Sequence, residues 1–438
     1  MEKNIFIFNK NQCVGCQACV VACINENKSQ QAGHWKKVYS SNTNHYPDLT
    51  LFYLSLSCNH CDDAPCLYNC PAQAYFRNES TGAVLHDAGK CIGCRLCTWA
   101  CPFDAPVFNS RSGIVEKCTF CSTRIEQGRS PACATHCPTG ALDFEKQAFT
   151  RLEARDSSPV PVSVGSSLRV QELLKPEGPF MDRNLFHGNP DSEKANRAPS
   201  RISAKKEWPL LVFTLLCSFM VGFYAHESDA MTINAWRWLI PGSGAVAAII
   251  SILHLGKKFR LGRSLLNVQH SWLSREIHFF LLFYVTAFLD LFILPIPKLI
   301  PLISGLLLLI SIDSLYRLAF WNWKIKIHSA QTLFSSFSLF LLSGGHLAWL
   351  LGVSALRIAL YLYRKPEYSH LNLLHASMAV CRVLFLILSV GILYYTANIW
   401  LSTLIFLAGE IIDRIEFYNE LSLPDPLPGN KDSIIFTN

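Results

Sequence analysis

Charged residues are scarce in this chain. Only 16% of the 438 residues are Asp, Glu, Lys or Arg, whereas 50% are hydrophobic, and the mean hydropathy is +0.22. This balance excludes an ordinary soluble enzyme and a disordered tail protein. Residues 1–150 hold 13 Lys/Arg against 12 Asp/Glu without a basic stripe, so we expect no nucleic-acid partner.

Familiar catalytic signatures are also missing. The sequence shows no phosphate-binding loop, no nucleophile triad and no Gly-rich cofactor turn. The first nine residues lack the basic and apolar regions of a signal peptide, so we expect no export signal. Any reduction of a terminal substrate is therefore expected on another chain.

Cysteines and apolar residues separate along the sequence. Sixteen of the 18 cysteines lie between Cys13 and Cys137, and long apolar runs dominate from Trp208 to about Tyr418. We predict a cysteine-rich head over 1–150, a linker over 151–207, a membrane domain over 208–420 and a tail over 421–438. Proline-containing breaks in the linker indicate an extended connector that wraps the head or a partner, with a flexible spacer as the alternative.

Sixteen cysteines form four groups of four. The third group has the C-x2-C-x2-C-x3-C-P spacing of bacterial ferredoxins. In order, the groups are Cys13, Cys16, Cys19 and Cys23; Cys58, Cys61, Cys66 and Cys70; Cys91, Cys94, Cys97 and Cys101; and Cys118, Cys121, Cys133 and Cys137.

This spacing favours iron–sulfur clusters over other uses of cysteine. Two-residue loops strain a disulfide, and structural zinc sites rarely use a third cysteine three residues after a CxxC pair. Sixteen ligands predict four [4Fe–4S] clusters, which transfer one electron at a time. The cations Lys90, Arg95, Lys117 and Arg124 lie beside cysteines, where solvated surface charge explains them as well as a redox role does.

At these cysteines the head resembles the four-cluster electron-transfer subunits of the dimethyl sulfoxide reductase family of molybdoenzymes. The resemblance extends through Cys137 to Leu142 (CPTGAL). It implies crosswise ligation, in which three cysteines of one group share a cluster with the last cysteine of another. We name the implied sets the Cys13 quartet (Cys13, Cys16, Cys19, Cys137), the Cys118 quartet (Cys118, Cys121, Cys133, Cys23), the Cys58 quartet (Cys58, Cys61, Cys66, Cys101) and the Cys91 quartet (Cys91, Cys94, Cys97, Cys70).

The apolar half contains enough runs of ~20 residues for several membrane spans. The runs lie at about 208–226, 235–255, 276–296, 299–320, 326–363, 373–396 and 398–418. The 326–363 run is either one long helix or two helices that turn at Gly344-Gly345. The predicted fold is therefore an α+β, ferredoxin-like head of two paired ferredoxin units, fused to an all-α bundle of seven or eight helices.

Basic residues accumulate in alternate loops of the apolar half. By the positive-inside rule, this bias predicts an inner (plasma) membrane protein whose iron–sulfur head is cytoplasmic. One face carries Arg201, Lys205, Lys206, Lys257, Lys258, Arg260, Arg263, Arg275, Arg317, Lys324 and Lys326, and the other little beyond Arg237 and Lys298.

The apolar half resembles the quinol-oxidising anchor subunit of the same family, which is normally a separate chain. The resemblance implies eight spans and no haem, and the export of that family's reductases implies a periplasmic head as the alternative. It rests on short motifs: Glu207-Trp208-Pro209-Leu210, Ser251-Ile252-Leu253-His254-Leu255-Gly256, Leu273-Ser274-Arg275-Glu276-Ile277 and Leu407-Ala408-Gly409-Glu410-Ile411-Ile412.

His254 ends the second apolar run and Glu276 begins the third. A histidine and a carboxylate at the membrane edge suit the acceptance of a proton from quinol. Together with the resemblance, they predict a subunit that oxidises quinol, with menaquinol as the expected species, and passes electrons to a large molybdopterin partner that reduces a sulfoxide, N-oxide or oxyanion. Electron flow from a dehydrogenase to quinone, and an ion-translocating redox protein, remain alternatives.

Overall fold

The computed structural model describes residues 2–28, 35–40, 51–148, 167–171, 202–226, 234–319, 327–364 and 373–421. The chain divides into two compact units. Of the described residues, those up to Gln171 belong to the head unit and those from Ile202 to Leu421 belong to the membrane unit.

A three-stranded sheet organises the head unit. Strand β1 (Glu2–Asn9) lies between β8 (Leu142–Ala148), with which it pairs antiparallel, and β9 (Leu168–Gln171), with which it pairs parallel. Phe6 and Phe8 are buried in the main core of the head, and Ile5, whose side chain points to the opposite face of the sheet, is buried in a separate cluster.

Short hairpins and helices fill the rest of the head. The hairpins pair β2 (Lys37–Ser40) with β3 (Tyr53–Leu56), β4 (Tyr75–Arg77) with β5 (Val84–His86), and β6 (Val107–Asn109) with β7 (Ile114–Glu116). The helices are α1 (Ala18–Asn27), α2 (Pro65–Tyr68), α3 (Leu96–Ala100), α4 (Ser122–Glu126) and α5 (Ala132–Thr135).

The segment predicted as a linker contributes one of these elements. Strand β9 adds to the edge of the sheet next to β1, and Leu168 and Val170 are buried in the core of the head together with Phe6, Phe8 and Phe120. Residues 149–166 and 172–201 lie outside the described residues, as does the predicted tail beyond Leu421.

The described part of the membrane unit is helical. Its α-helices are α6 (Trp208–His226), α7 (Asn234–Leu253), α8 (Trp272–Phe292), α9 (Leu299–Tyr316), α10 (Thr332–Ser343), α11 (Leu347–Arg364), α12 (Leu373–Thr396) and α13 (Ile399–Glu420). A 3-10 segment, Lys258–Leu265, follows α7 and is bent by 107° relative to it. The 326–363 run is broken at Gly344-Gly345, where Gly345 has a φ of 66°.

Four of the described helical segments are long and apolar enough to cross a membrane, and the bent pair would make a fifth. The four are Trp208–His226, Leu299–Tyr316, Leu347–Arg364 and Ser377–Thr396. Helix α13 has sufficient length but carries Glu410, Asp413, Arg414, Glu416 and Glu420. Four to five apolar segments are compatible with a membrane-spanning region, while the count of seven or eight spans stays a prediction.

Candidate metal centres and membrane site

The four cysteine groups share one backbone feature. The residue before the second cysteine has a positive φ in each group: 71° at Gly15, 42° at His60, 72° at Gly93 and 62° at Phe120. Side chains other than glycine rarely adopt this conformation, and His60 and Phe120 therefore carry strain that the surrounding fold must hold. A left-handed residue at this point turns the chain so that both flanking thiols approach one side of the loop.

Cysteines from different groups meet at a first cavity. Cys58, Cys61 and Cys66 of the second group and Cys101 of the third line one cavity. Burial and the neighbouring thiols of Cys58 and Cys101 raise the pKa of Cys61 above its ordinary value. The structure thus brings together the members of the Cys58 quartet.

A second cavity has the same composition. Cys13, Cys16 and Cys19 of the first group and Cys137 of the fourth line this cavity. Gly15 approaches Tyr53 so closely there that a Cβ atom would lie 2.5 Å from the tyrosine ring. The narrow loop therefore requires glycine for space as well as for its positive φ.

The two remaining quartets are recognised from the cysteines that influence one another's pKa. Burial and the thiols of Cys133 and Cys121 raise the pKa of Cys23 to about 12. Burial and the thiols of Cys70 and Cys91 raise the pKa of Cys94 to about 12. Within the Cys118 quartet, and likewise within the Cys91 quartet, the cysteines therefore lie near one another.

The quartets fit an iron–sulfur cubane better than a single zinc ion. Among the described residues, no three His, Cys, Asp or Glu side chains converge on a point where one metal ion could bind. A cubane takes its cysteines at separate iron corners, whereas zinc requires four ligands around one centre. Backbone N–H groups also point at sulfur, as in the bonds from Ala74 to Cys70 (3.3 Å) and from Phe120 to Cys118 (3.3 Å).

The quartets follow one another through the head. Cys19 acts electrostatically on Cys133, Cys58 acts on Cys118, and Cys66 and Cys97 both act on the buried hydroxyl of Tyr75. The Cys13 quartet therefore neighbours the Cys118 quartet, which neighbours the Cys58 quartet, which neighbours the Cys91 quartet. His60 and Phe120 stack at 4.4 Å where the second and fourth groups approach.

The predicted quinol-site residues lie on either side of the 3-10 segment. His254 is half-buried immediately after α7, and Glu276 is buried in the first turns of α8 with 4% exposure. The Oε2 atom of Glu276 is buried and receives no hydrogen bond from the described residues. Cys217, Tyr316 and Tyr418 are neighbours of this carboxyl group, and the two tyrosine hydroxyls hydrogen-bond each other.

Charged residues of the apolar half pair inside the bundle. Arg357 of α11 and Arg382 of α12 donate to Glu410 of α13 at 2.5 and 2.8 Å. Arg364 and Arg382 also pair with Asp413, at 3.1 and 3.3 Å. The sequence marks these charges as too costly to leave alone in an apolar run, but it does not reveal their partners.

The sheet, the left-handed cysteine loops and the quartets define an iron–sulfur electron-transfer domain of the ferredoxin type. In agreement, residues 49–147 match the 4Fe-4S dicluster domain family, a range that contains the second, third and fourth cysteine groups.

Similar proteins define the family more narrowly. The chain is 35% identical over 234 residues to an inferred dimethyl sulfoxide reductase iron–sulfur subunit of Halobacterium salinarum, a match that covers 44% of this chain and 89% of that protein. It is 36% identical to the thiosulfate reductase electron transfer subunit of Salmonella typhi (35% of this chain, 88% of that protein). It is 35% identical to a component of the anaerobic dimethyl sulfoxide reductase of Escherichia coli (32% and 71%). The chain belongs to the iron–sulfur subunits of the dimethyl sulfoxide reductase family.

Proposed function

We propose that this chain is a fused electron-transfer and membrane-anchor subunit that oxidises quinol, with menaquinol as the expected species. Four [4Fe–4S] clusters pass the electrons to a separate molybdopterin subunit, which reduces a sulfoxide, N-oxide or oxyanion. The observation that carries the proposal is that two cavities each collect three cysteines of one group and one cysteine of another.

The cysteine quartets hold the clusters, and the adjacency of the quartets gives their order. When bound, the clusters supply one-electron transfer at potentials set by their hydrogen bonds, charge environment and exposure. The protein's own residues place the thiolates, donate N–H groups to sulfur and exclude water. Cysteine pairs from distant groups also make cluster assembly and folding of the head interdependent.

At the membrane unit, His254 and Glu276 accept the protons that quinol releases on oxidation. Glu276 is suited to this role because it is buried and its Oε2 atom receives no hydrogen bond from the described residues. His254 lies at the helix end on the other side of the 3-10 segment. The basic loops favour a cytoplasmic head, with the periplasmic face as the alternative.

Composition of the purified complex tests this function. Anaerobic purification in mild detergent should yield about sixteen irons per chain, one molybdenum and a large co-purifying subunit, since each [4Fe–4S] cluster holds four irons. If the analysis finds sixteen irons but no molybdenum, the four clusters remain supported and the molybdopterin partner does not. Electron flow from a dehydrogenase to quinone, or ion translocation, would then be the preferred function.

The quinol site has its own test. His254→Ala should slow quinol-driven reduction of the clusters by about 10²–10⁴-fold, the usual contribution of a proton-transfer group. Dithionite, which bypasses the site, should still reduce the clusters fully. Stopped-flow reduction by a menaquinol analogue measures both rates, and equal quinol rates in variant and parent would remove His254 from the site.

A further inference from the structure

A lysine side chain is buried between two cysteine quartets of the head. Lys117 immediately precedes Cys118 and is 3% exposed. Its ammonium group donates to the carbonyl of Val84 and, at 2.9 Å, to the carbonyl of Cys118. The same side chain lines the cavity of the Cys58 quartet.

Sulfur atoms supply the negative charge around this ammonium. No ion pair joins Lys117 to an Asp or Glu among the described residues, and the charges that act on it most strongly are those of Cys58, Cys66 and Cys118. A buried ammonium without an anionic partner is costly. The positive charge of Lys117 is therefore balanced by thiolates of both the Cys58 and the Cys118 quartets.

The other cations beside cysteines differ from Lys117. Lys90 is exposed and pairs with Asp87 at 3.5 Å, and Arg124 pairs with Glu26 at 3.0 Å. Arg95 lies over the ring of Phe108 at 4.2 Å. Of the four cations that the sequence places next to cysteines, Lys117 is the buried one that faces two quartets.

A second buried lysine provides a natural comparison. Lys36 is 2% exposed and lies over the ring of Phe6 at 5.1 Å. Its charge acts on Cys23 and Cys133, which both belong to the Cys118 quartet. Lys36 therefore lies near the Cys118 quartet, whereas Lys117 lies next to that quartet and also lines the cavity of the Cys58 quartet.

We propose that Lys117 raises the reduction potentials of the clusters in the Cys58 and Cys118 quartets together, and so controls electron transfer between these two clusters. This inference rests on the proposed four-cluster series. One electron leaves one cluster and enters its neighbour, and Lys117 itself is neither oxidised nor deprotonated. Because reduction adds a negative charge to a cluster, a nearby buried cation stabilises the reduced form.

Redox titration of the purified holo complex, followed by EPR, tests this role without using turnover. Lys117→Met should lower the potentials of two clusters, each by at least a tenfold change in the reduction equilibrium, or 59 mV for a one-electron couple. The Cys13 and Cys91 quartets serve as internal references whose potentials should not move. Lys36→Met should shift one cluster, and Lys117→Arg should restore the parent potentials.

The possible results separate the inference from the proposed function. Fewer than four clusters in the parent complex would refute the four-cluster series itself. Four clusters with unchanged potentials in Lys117→Met would overturn the role of Lys117. If Lys117→Met does not assemble, Lys117→Gln carries the same expectation. Loss of clusters in Lys117→Arg as well as in both neutral variants would show a purely structural role and also overturn the inference.

Discussion

At His60 and Phe120 the backbone adopts a conformation that suits glycine, yet both positions carry rings. Each conformation costs about 1–3 kcal/mol and persists only where neighbouring contacts determine it. The two rings stack on each other, and Phe120 also packs edge-on against Phe6 at 5.0 Å. Ring packing thus holds the two cysteine loops that lack glycine at this position.

A single ligand substitution tests the cluster assignment. Cys94→Ser should remove or convert one cluster's EPR signal, because serine replaces one thiolate of the Cys91 quartet while the other three quartets keep all their ligands. Low-temperature EPR of the reduced protein measures the change. Cys217→Ser, in helix α6 of the membrane unit, is the control and should leave the spectrum as it is. An unchanged spectrum in Cys94→Ser would contradict iron–sulfur ligation there.

Helix α13 shows how an element with many charges can lie inside an apolar bundle. Its Glu410 and Asp413 are fully buried. Both carboxylates form ion pairs with arginines of α11 and α12, namely Arg357, Arg364 and Arg382. Removing both members of such a pair is often tolerated, whereas removing one leaves a buried charge uncompensated. The network therefore joins α13 to α11 and α12 through buried ion pairs.

Glu410→Gln should destabilise the membrane unit, because Arg357 loses its carboxylate partner and Arg382 keeps only Asp413. Breaking a buried pair from one side typically costs about 3–5 kcal/mol. The effect is measured by heating each variant in detergent and determining how much soluble folded protein remains. Ile411→Ala on the same helix, at a side chain that is 40% exposed, is the matched control and should change little. Equal stability of the two variants would contradict the network's role.

Close helix contacts depend on small residues as well as on charge. A Cβ atom at Gly222 of α6 would lie 2.5 Å from the carbonyl oxygen of Ser336 in α10. Backbone cannot move aside as a flexible side chain can, so the two helices approach closely only while glycine occupies this position.

The molecule as a whole combines a cysteine-rich unit with a helical apolar unit in one chain. Each unit has its own buried core: aromatic and aliphatic residues around Phe6 and Phe120 in the head, and Leu-rich helix surfaces around Leu339 and Phe406 in the membrane unit. In the proposed function, the side of the membrane that holds the head decides which compartment receives the electrons.

Limited proteolysis measures this orientation. Protease added to right-side-out vesicles should leave the head intact, because the basic loops favour the cytoplasm for the face that carries it. Vesicles opened with detergent are the control, in which the head should become accessible. Degradation of the head in closed vesicles would instead place it on the outer face.

Local spacing made a large part of this protein predictable from its sequence. Cysteines two or three residues apart must lie in one loop, and apolar runs of suitable length become helices because an uncharged run has no other way to satisfy its backbone in lipid. The cysteine groups and the apolar half follow from such short-range rules. Crosswise ligation followed from family resemblance alone.

Contacts between distant residues were decided by the tertiary structure. Cys101 lines the same cavity as Cys58, and Glu410 forms ion pairs with Arg357 and Arg382. Lys117 lies near two quartets. Each of these contacts joins segments that are far apart in the sequence. Strand β9 joins the sheet for the same reason, although its surroundings in the sequence read as a connector. Sequence spacing fixes which residues lie in one loop or on one helix face, but through-space partners depend on how the whole chain packs.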